Sequence, residues 1–517
     1  MGDKRANESD IIIPGVARPF HPRLILLVNM VPLALALMQI SSVNVGLPSI
    51  QVTLGASSAH IQWVLSGYAL AFGICLVPAG RLGDLLGHCT IFTVGLGVFG
   101  LASLACGLVD DPLALNAARV FQGLGAGLQG PQTTGLIQQY FKGQARARAY
   151  ATFGMVVAGS VAVGPVLTGT MLRLLGTDLG WRVPFMMNCP LALIGCATAL
   201  RWLPFETERA RRRARDAAKG HADQGHADQG HAATAAPRVT RPRLDLDPVG
   251  ALLLTGALVC AMLPFMLHGV PPTRFWLLAG TAALGGVWFA WERLYARRGR
   301  APMVDLGLFR LKGYIHQTTV STLDFLGITS IFVVVALFLQ QGLGWDPLHA
   351  ALIGLPNAAA SCVGAIWAGK YVLVKRDKVI IAALATVVTA MLATAAVVHF
   401  AATGLSPWWL MATLALHGFG QGVFGAANQT LSMLEVPVHQ AGTAGGLKSM
   451  AERVSTAMGN AVMTGILFAA LPALGWYAAA VTTYAVIAAV VAAALALATV
   501  YHLVHRHRPS AGSAMAR

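Results

Sequence analysis

The chain has 517 residues, of which 56% are hydrophobic and 11% charged, and its mean hydropathy is +0.63. Soluble domains carry about 25% charged residues, so this composition excludes a soluble globular protein and indicates an integral membrane protein. The formal net charge of +16 would suit nucleic acid if the basic residues shared one surface. They are instead spread over alternate loops between apolar stretches, which argues against nucleic-acid binding and predicts contacts with anionic lipid headgroups.

Fourteen apolar stretches are long enough to cross a bilayer, and their low polarity leaves helices as the only economical backbone within the hydrocarbon. The predicted spans are 24–48, 61–80, 90–109, 113–140, 148–172, 180–203, 248–269, 274–296, 313–341, 347–372, 378–400, 407–433, 440–471 and 474–503. Lys and Arg concentrate in the loops at 4–23, 142–148, 201–243, 293–312 and 370–378. By the positive-inside rule these loops are cytoplasmic, and an even number of spans places both termini on that side.

The sequence predicts neither a cofactor nor a metal site. The seven cysteines lie in or beside apolar spans without CxxC spacing, as packing residues do. One long hydrophilic insert, 204–247, contains GHADQGHADQGHA, whose three histidines could hold a metal ion. A low-complexity stretch of this kind is more typical of a solvated, disordered linker. No GxxxxGK[ST] loop is present, which argues against ATP as the energy source.

The segment GRLGDLLGH, which begins at Gly80, lies between the second and third spans. Its glycines allow a tight turn and a close approach of helices. Asp84 could accept hydrogen bonds from the N-terminus of a facing helix, where the helix dipole favours a negative charge. A contact of that kind would hold one conformation and break in another. A plain glycine turn without a switching role is the alternative.

Charged side chains inside the predicted spans are few, and each is costly enough to suggest a function. Arg119, in the segment ARVFQGLGAGLQGP, lies inside the fourth span. It either takes part in coupling or is a structural arginine bonded to backbone carbonyls. Asp324 lies about 16 Å along a helix from Gly313, near the middle of a hydrocarbon core about 30 Å thick. It could bind and release a proton there, or be a static hydrogen-bonded carboxylate.

Two further groups have open interpretations. Glu452 has Lys448 four residues before it and Arg453 directly after it. It is equally compatible with a gate and with a static local ion pair. His417 lies in the twelfth span at about the depth of Asp324. A packed helix–helix contact and a functional histidine are the two alternatives for it.

In order and spacing, GRLGDLLGH, ARVFQGLGAGLQGP and GPVLTG (from Gly164) resemble signatures of the major facilitator superfamily, in particular its 14-helix EmrB/QacA-type drug:H+ antiporters. The resemblance covers about residues 24–500. It implies an all-α integral membrane protein with the major facilitator fold, in which two six-helix bundles flank two inserted helices. The implied segments are a cytoplasmic tail (1–23), a first bundle (24–203), a disordered cytoplasmic linker (204–247), two inserted helices (248–296), a second bundle (297–503) and a cytoplasmic tail (504–517).

The resemblance also assigns roles to particular residues. It implies a cavity lined by the first, fourth, ninth and twelfth spans, with the candidates Gln39, Asn44, Arg119, Asp324 and His417. The candidates for proton coupling are Asp324, Arg119, His417 and Glu452. The residues that correspond to the conformational latch are Gly80, Arg81, Gly83, Asp84 and Gly87. Those that correspond to the antiporter motif, which favours export over uptake, are Gly164, Pro165, Thr168 and Gly169.

The chain departs from the family pattern in two places. Leu85, His88 and Cys89 stand where basic residues are usual in the latch motif, which puts the charge relay of that motif in question. Gln39 stands where relatives that export cations often carry an aspartate. The missing acid weakens a purely cationic list of substrates and removes one candidate proton carrier.

The sequence therefore predicts a proton-coupled antiporter of the inner membrane that exports small hydrophobic or amphipathic compounds, as multidrug efflux proteins do. A dedicated exporter of one metabolite, antibiotic or siderophore is the first alternative, and a non-transporting membrane sensor or scaffold is the second. The expected partners are the substrate, protons and membrane lipids, with a periplasmic adaptor compatible with the family. We expect a monomer. An enzyme is not expected, because no Ser-His-Asp, HExxH or paired-carboxylate set has suitable spacing.

Overall fold

A computed structural model describes residues 21–209, 247–266, 272–300 and 302–505. All regular secondary structure in that part of the chain is helical. The contacts divide the chain into two compact units. Unit 1 takes its described residues from 1–141, 166–308 and 436–450, and unit 2 takes them from 142–165, 309–435 and 451–517.

Unit 1 contains helices whose N-termini are set by local sequence signals. Pro112 opens α4, and the Asp111 side chain accepts a hydrogen bond from the Ala114 N–H at 2.8 Å. Ser57 caps α2 in the same way, through the His60 N–H. The helices are α1 (Pro22–Leu54), α2 (Ser58–Leu86), α3 (His88–Leu108), α4 (Pro112–Tyr140), α6 (Asn188–Trp202), α7 (Pro248–Met266) and α8 (Trp276–Arg297). Two helices have residues in both units: α5 (Gly143–Met186) and α15 (Ala441–His505).

Unit 2 is built around a close contact between α12 and α14. A Cβ atom on Gly418 would lie 2.7 Å from the carbonyl carbon of Asn357, and one on Gly422 equally near that of Ser361. Glycines four residues apart therefore bring the two backbones together, as in many membrane helix pairs. The helices are α9 (Lys312–Ile328), α10 (Ile331–Leu337), α11 (Pro347–Leu352), α12 (Leu355–Lys375), α13 (Asp377–Ala401) and α14 (Leu410–Ser432), with a π-helical turn at Phe338–Gly342.

The structure supports a multi-pass membrane protein. In the described part, eight stretches are long and apolar enough to cross a bilayer. Two of them, Gly143–Trp202 and Val438–Val504, have 60 and 67 residues, several times the roughly 20 that one crossing needs. Non-helical backbone interrupts the first at Gly176, between the predicted spans 148–172 and 180–203, and the second at Gly475, at the start of the predicted span 474–503. The total of fourteen spans stays a prediction, as does the division into two six-helix bundles.

One local expectation needs correction. The disorder expected for the linker 204–247 does not hold at residues 205–209, which are helical and bury Thr207 and Glu208. Residues 210–246, for which disorder was also expected, are outside the described part of the chain, as are residues 1–20 and 506–517 of the tails. Gly164-Pro165 lies within α5, which departs from helical angles at Gly176 and not at this pair. Proline there removes an N–H without forcing the backbone out of the helix.

Candidate functional site

Asp84, near the C-terminal end of α2, binds the first residues of α15. Its Oδ1 accepts a hydrogen bond from the Gly442 N–H at 3.0 Å, and its Oδ2 accepts from the Thr443 N–H at 2.8 Å and the Thr443 hydroxyl at 2.6 Å. The Asp84 side chain is 2% exposed. A carboxylate here pairs with backbone donors that have no partner inside their own helix. The expected contact with a helix N-terminus is therefore confirmed, and it joins positions 358 residues apart.

Glycines of the same motif make this contact possible. A Cβ atom on Gly80 would lie 2.6 Å from the carbonyl carbon of Gly442, so any other residue there would push α15 away. Gly87 has a φ of 106°, which favours glycine at the sharp turn from α2 into α3. Gly83 lies against Gln132, and Arg81 is partly buried beside these glycines.

A related contact occurs in unit 2 at Trp367-Ala368-Gly369-Lys370, a segment similar to Pro78-Ala79-Gly80-Arg81 of unit 1. A Cβ atom on Gly369 would lie 2.6 Å from the Cβ atom of Ala151 near the start of α5, and the Gly369 carbonyl accepts a hydrogen bond from Gln144. Counting four residues on from the glycine, as Asp84 follows Gly80, gives Leu373. The two halves thus share the close approach, but the carboxylate belongs to the first half.

His88 contacts Asp84, and Glu208 binds the residue after His88; neither is among the site residues predicted from the sequence. The His88 Nε2 atom lies 3.4 Å from Asp84 Oδ1, and its Nδ1 lies 2.8 Å from Gln132 Oε1. Both carboxylate oxygens of Glu208 accept from the Cys89 N–H, at 3.0 and 3.1 Å, which caps α3. Burial raises the pKa of Glu208, and His88 and the Cys89 N–H oppose that rise.

His88 stands at one of the three places where the latch motif usually has a basic residue. Its imidazole ring contacts Asp84, the carboxylate of the same motif. The available signal was the residue type, because histidine is the one replacement among Leu85, His88 and Cys89 that can carry a positive charge.

Arg119 is 1% exposed and joins α4 to α2. Its Nε–H donates to the Val64 carbonyl oxygen at 2.9 Å, and its Nη1 donates to Gln122 Oε1. The guanidinium carbon lies 4.3 Å from the centre of the Tyr68 ring, a cation–π distance. A hydrogen bond to a backbone carbonyl is what a structural arginine would form. A role of Arg119 in coupling stays a prediction.

In α1, Gln39 is 2% exposed, and its Oε1 accepts a hydrogen bond from Asn188 Nδ2 at 2.7 Å. Asn44 is exposed. Thr168 of the predicted antiporter motif also contacts α1, because its buried hydroxyl forms a hydrogen bond with the hydroxyl of Ser42. Thr168, which replaces a usual glycine, therefore pairs with α1 through a polar contact. Gly169, by contrast, has no described atom within 4 Å of the place that a Cβ would take.

Three buried polar side chains of α9 in unit 2 each form a hydrogen bond with a side chain of another helix. We call these three residues and their partners the polar seam. Gln317, Ser321 and Asp324 are spaced by four and three residues, so they share one helix face. Gln317 accepts from Asn428 Nδ2, Ser321 donates to Glu452 Oε1 at 2.5 Å, and Asp324 Oδ2 accepts from Gln421 Nε2 at 3.0 Å. The seam thus consists of six residues: Gln317, Ser321, Asp324, Asn428, Glu452 and Gln421.

The polar seam contains two acids, Asp324 and Glu452, that the sequence gave no reason to place together. Asp324 is 0% exposed and Glu452 is 8% exposed. Glu452 binds Ser321, which lies one helical turn before Asp324 on the same face. The sequence offered a gate or a local ion pair for Glu452, and the structure adds a buried partner on another helix.

His417 lies one turn from Gln421 on α14 and is 3% exposed. Asn357 Nδ2 lies 2.7 Å from His417 Nδ1 and 2.9 Å from the Leu414 carbonyl oxygen, so Nδ1 accepts and the neutral ring carries its proton on Nε2. Within the described residues, His417 Nε2 and Gln421 Oε1 have no hydrogen-bond partner. Buried polar atoms of this kind commonly serve a ligand or bound water.

One prediction concerns Gln39. Gln39→Asp should shift selectivity toward lipophilic cations, because an added carboxylate in a surrounding of low dielectric attracts them. Attraction of about 0.7 kcal/mol already changes a binding ratio about threefold. The measurement is the ratio of the affinities of the purified variant for a quaternary ammonium dye and for a neutral drug. Gln39→Asn, of the same size as aspartate but neutral, is the control, and an equal ratio in both variants would mean that residue 39 does not face the substrate.

The sequence profile of the Major Facilitator Superfamily matches residues 33–460. The chain is 32% identical over 435 residues to the probable actinorhodin transporter of Streptomyces coelicolor, covering 83% of this chain and 69% of that protein. It is 30% identical to the puromycin resistance protein pur8 of Streptomyces alboniger, over 81% of this chain and 77% of that protein. For the multidrug resistance protein Stp of Mycobacterium tuberculosis the identity is 28%, with coverages of 83% and 73%.

Solved structures show the same fold at low identity. The proton:xylose symporter XylE superposes with a TM-score of 0.62 at 13% identity, covering 92% of this chain and 94% of that one. Fold and sequence together define a multi-pass membrane transporter, and not an enzyme. The chain belongs to the major facilitator superfamily, whose members handle small-molecule substrates.

Proposed function

We propose that this transporter is an antiporter that exports small hydrophobic or amphipathic compounds in exchange for protons. The polar seam of α9 is the observation that carries the proposal. Five buried polar residues and the partly buried Gln421, arranged along two turns of α9, are costly in a membrane protein unless they are used. Two of the six are carboxylic acids, the natural proton carriers at such a place.

The order of groups along the seam suits proton transfer. Asp324 would alternate between a charged form, to which Gln421 donates, and a neutral form. The Ser321 hydroxyl can donate and accept, so it would connect Asp324 with Glu452. His417 and Gln421, with unpaired Nε2 and Oε1 atoms among the described residues, would bind the substrate beside the acid. Substrate and proton would then compete for one region of unit 2, which is the simplest basis of antiport.

Sequence motifs and relatives support export. Gly164, Pro165, Thr168 and Gly169 resemble the motif that marks antiporters in the superfamily, with Thr168 at a place where glycine is usual. Two of the relatives are named for resistance to puromycin and to multiple drugs, and one for transport of actinorhodin. Multidrug efflux is our first choice of substrate range. A dedicated exporter of one antibiotic-like metabolite is the second, and the actinorhodin relative and Gln39 favour it.

The proposed setting is the inner membrane with both termini in the cytoplasm, as the alternation of basic loops indicates. Anionic headgroups would contact those loops. The protein would act as a monomer, and a periplasmic adaptor is compatible with this arrangement.

Proton coupling can be measured in proteoliposomes that contain the full chain and the pH dye pyranine. Adding puromycin or actinorhodin outside should move protons out of the lumen as the compound enters. An imposed pH gradient should accelerate uptake, and an uncoupler should remove that acceleration, because the seam offers an acid and no ATP site is apparent. Liposomes without protein are the control for leakage of the probe.

Uptake of either probe at the same rate with and without a pH gradient, and with no pyranine signal, would refute coupling to protons. Transport of actinorhodin but not of puromycin or ethidium would favour the dedicated exporter over multidrug efflux.

A further inference from the structure

A shallow, open cavity with aromatic walls lies in unit 2, and no residue of the polar seam lines it. It has a volume of about 330 Å³ and is lined by Trp345, Asp346, His349 and Trp408. Three of these residues follow the π-helical turn, and Trp408 precedes α14. The volume is at the lower end of the range for small-molecule sites, which suits a headgroup-sized ligand better than a drug-sized one.

The two indole rings contact each other at an angle. Their centroids are 5.1 Å apart with an interplanar angle of 44°, so the rings are tilted and not stacked flat on each other. Trp345 is held in place, because its backbone N–H donates to the Leu339 carbonyl at 2.9 Å and its side chain packs against the buried core. Trp408 is 41% exposed. One fixed ring and one accessible ring thus make two walls of the cavity.

A carboxylate supplies the third wall. The side chain of Asp346 is 51% exposed, and its Oδ2 accepts from His349 Nδ1 at 2.6 Å. The His349 ring contacts Trp408 edge-on, with ring centroids 6.2 Å apart, so the histidine lines the cavity next to Trp408. Indole faces attract cations through their quadrupole, and a carboxylate attracts them by charge. A tryptophan that only anchors a protein at the membrane interface needs neither a partner ring nor an acid.

We propose that this aromatic cavity binds an alkylammonium group against the rings of Trp345 and Trp408 and beside the Asp346 carboxylate. The group could belong to a soluble amine or to the headgroup of an aminophospholipid, since both present the same cation. The inference is independent of the direction of transport and of its coupling to protons.

The test is saturation-transfer NMR on the full chain in a maltoside detergent, with choline as the probe. Its neutral isostere, 3,3-dimethylbutan-1-ol, has the same shape without the charge. We expect a saturable signal for choline and an affinity for the alcohol weaker by about tenfold. Asp346→Asn and Trp408→Leu should each weaken choline binding by about tenfold.

Trp409→Leu is the matched control, because Trp409 is 59% exposed and does not line the cavity. It should bind choline like the wild type, and gel filtration should show all three variants to be folded. Equal binding of choline and the alcohol would overturn the proposal. So would unchanged choline binding in both Asp346→Asn and Trp408→Leu.

Nanodiscs identify the source of the cation. If a lipid headgroup is the ligand, choline should bind in phosphatidylglycerol discs and be displaced when phosphatidylethanolamine is added. If a soluble amine is the ligand, choline should bind equally in both. Either result supports the cation site, whereas absence of choline binding in both kinds of disc would contradict it.

Discussion

Asp324→Asn should abolish export driven by a pH gradient while the protein still folds and still exchanges substrate across an equilibrated membrane. Asparagine resembles the protonated acid in shape but cannot release a proton, so the cycle would stop at one step. The Gln421 amide can still bond to the asparagine carbonyl oxygen, which keeps the polar seam paired. Gradient-driven uptake and equilibrium exchange of the same probe, measured on one batch of proteoliposomes, separate the two activities.

Several variants sharpen this prediction. Asp324→Glu should retain part of the activity with an altered pH dependence, because the acid remains in a shifted position. His417→Ala should be milder, and it should shift the pH optimum if it shares a proton with Asp324. Asp178→Asn is the control for the chemical change itself, since the Asp178 side chain is 63% exposed and pairs with Arg182. Wild-type gradient-driven export by Asp324→Asn would refute the assignment and make Glu452 the better candidate.

Asp84→Asn should slow turnover strongly and leave substrate affinity largely intact. The carboxylate holds three donors at the start of α15, and hydrogen bonds to a charged group contribute about 1.5–3 kcal/mol each. Losing about 2 kcal/mol would shift the equilibrium between conformations about 30-fold away from the state described here. Affinity and maximal rate should be measured on the same purified variant.

Gly80→Ala tests the same contact by a steric route. Its Cβ would overlap Gly442, so it should destabilise the same conformation without removing any charge. Gly97→Ala is the matched control, because no described atom lies within 4 Å of the Cβ that it would add. A large loss of affinity with an unchanged maximal rate in Asp84→Asn would place Asp84 in substrate binding and not in a latch.

Which features were predictable depends on whether they are local in the chain. Hydropathy predicted the helical membrane architecture, because about 20 apolar residues cross a bilayer whatever their neighbours are. The glycines and the acid of GRLGDLLGH predicted a helix N-terminus as the partner of Asp84, because only backbone donors at such an end lack partners. Which helix supplied them could not be read from the motif, since Gly442 and Thr443 are more than 350 residues away.

Residues without a strong pattern were harder to place. Glu208 was assigned to a linker because the residues after it are basic and repetitive, yet it caps α3 and is largely buried. His88 was noted as a departure, and only its position between Asp84 and Gln132 gave that departure a structural meaning. Glu452 had charged neighbours in sequence, which pointed to a local pair and not to its bond with Ser321 on another helix.

The sequence by itself determined the class of protein, the helical architecture, the turn that carries Asp84, and the polar residues that are costly inside a span, namely Arg119, Asp324, His417 and Glu452. These follow from the free energy of placing backbone and charge in a membrane, which depends on local composition. Only the tertiary structure decided their partners: α15 for Asp84, the Val64 carbonyl for Arg119, and the polar seam for Asp324 and Glu452. Pairing between distant helices depends on which faces pack together, and a single sequence does not record that.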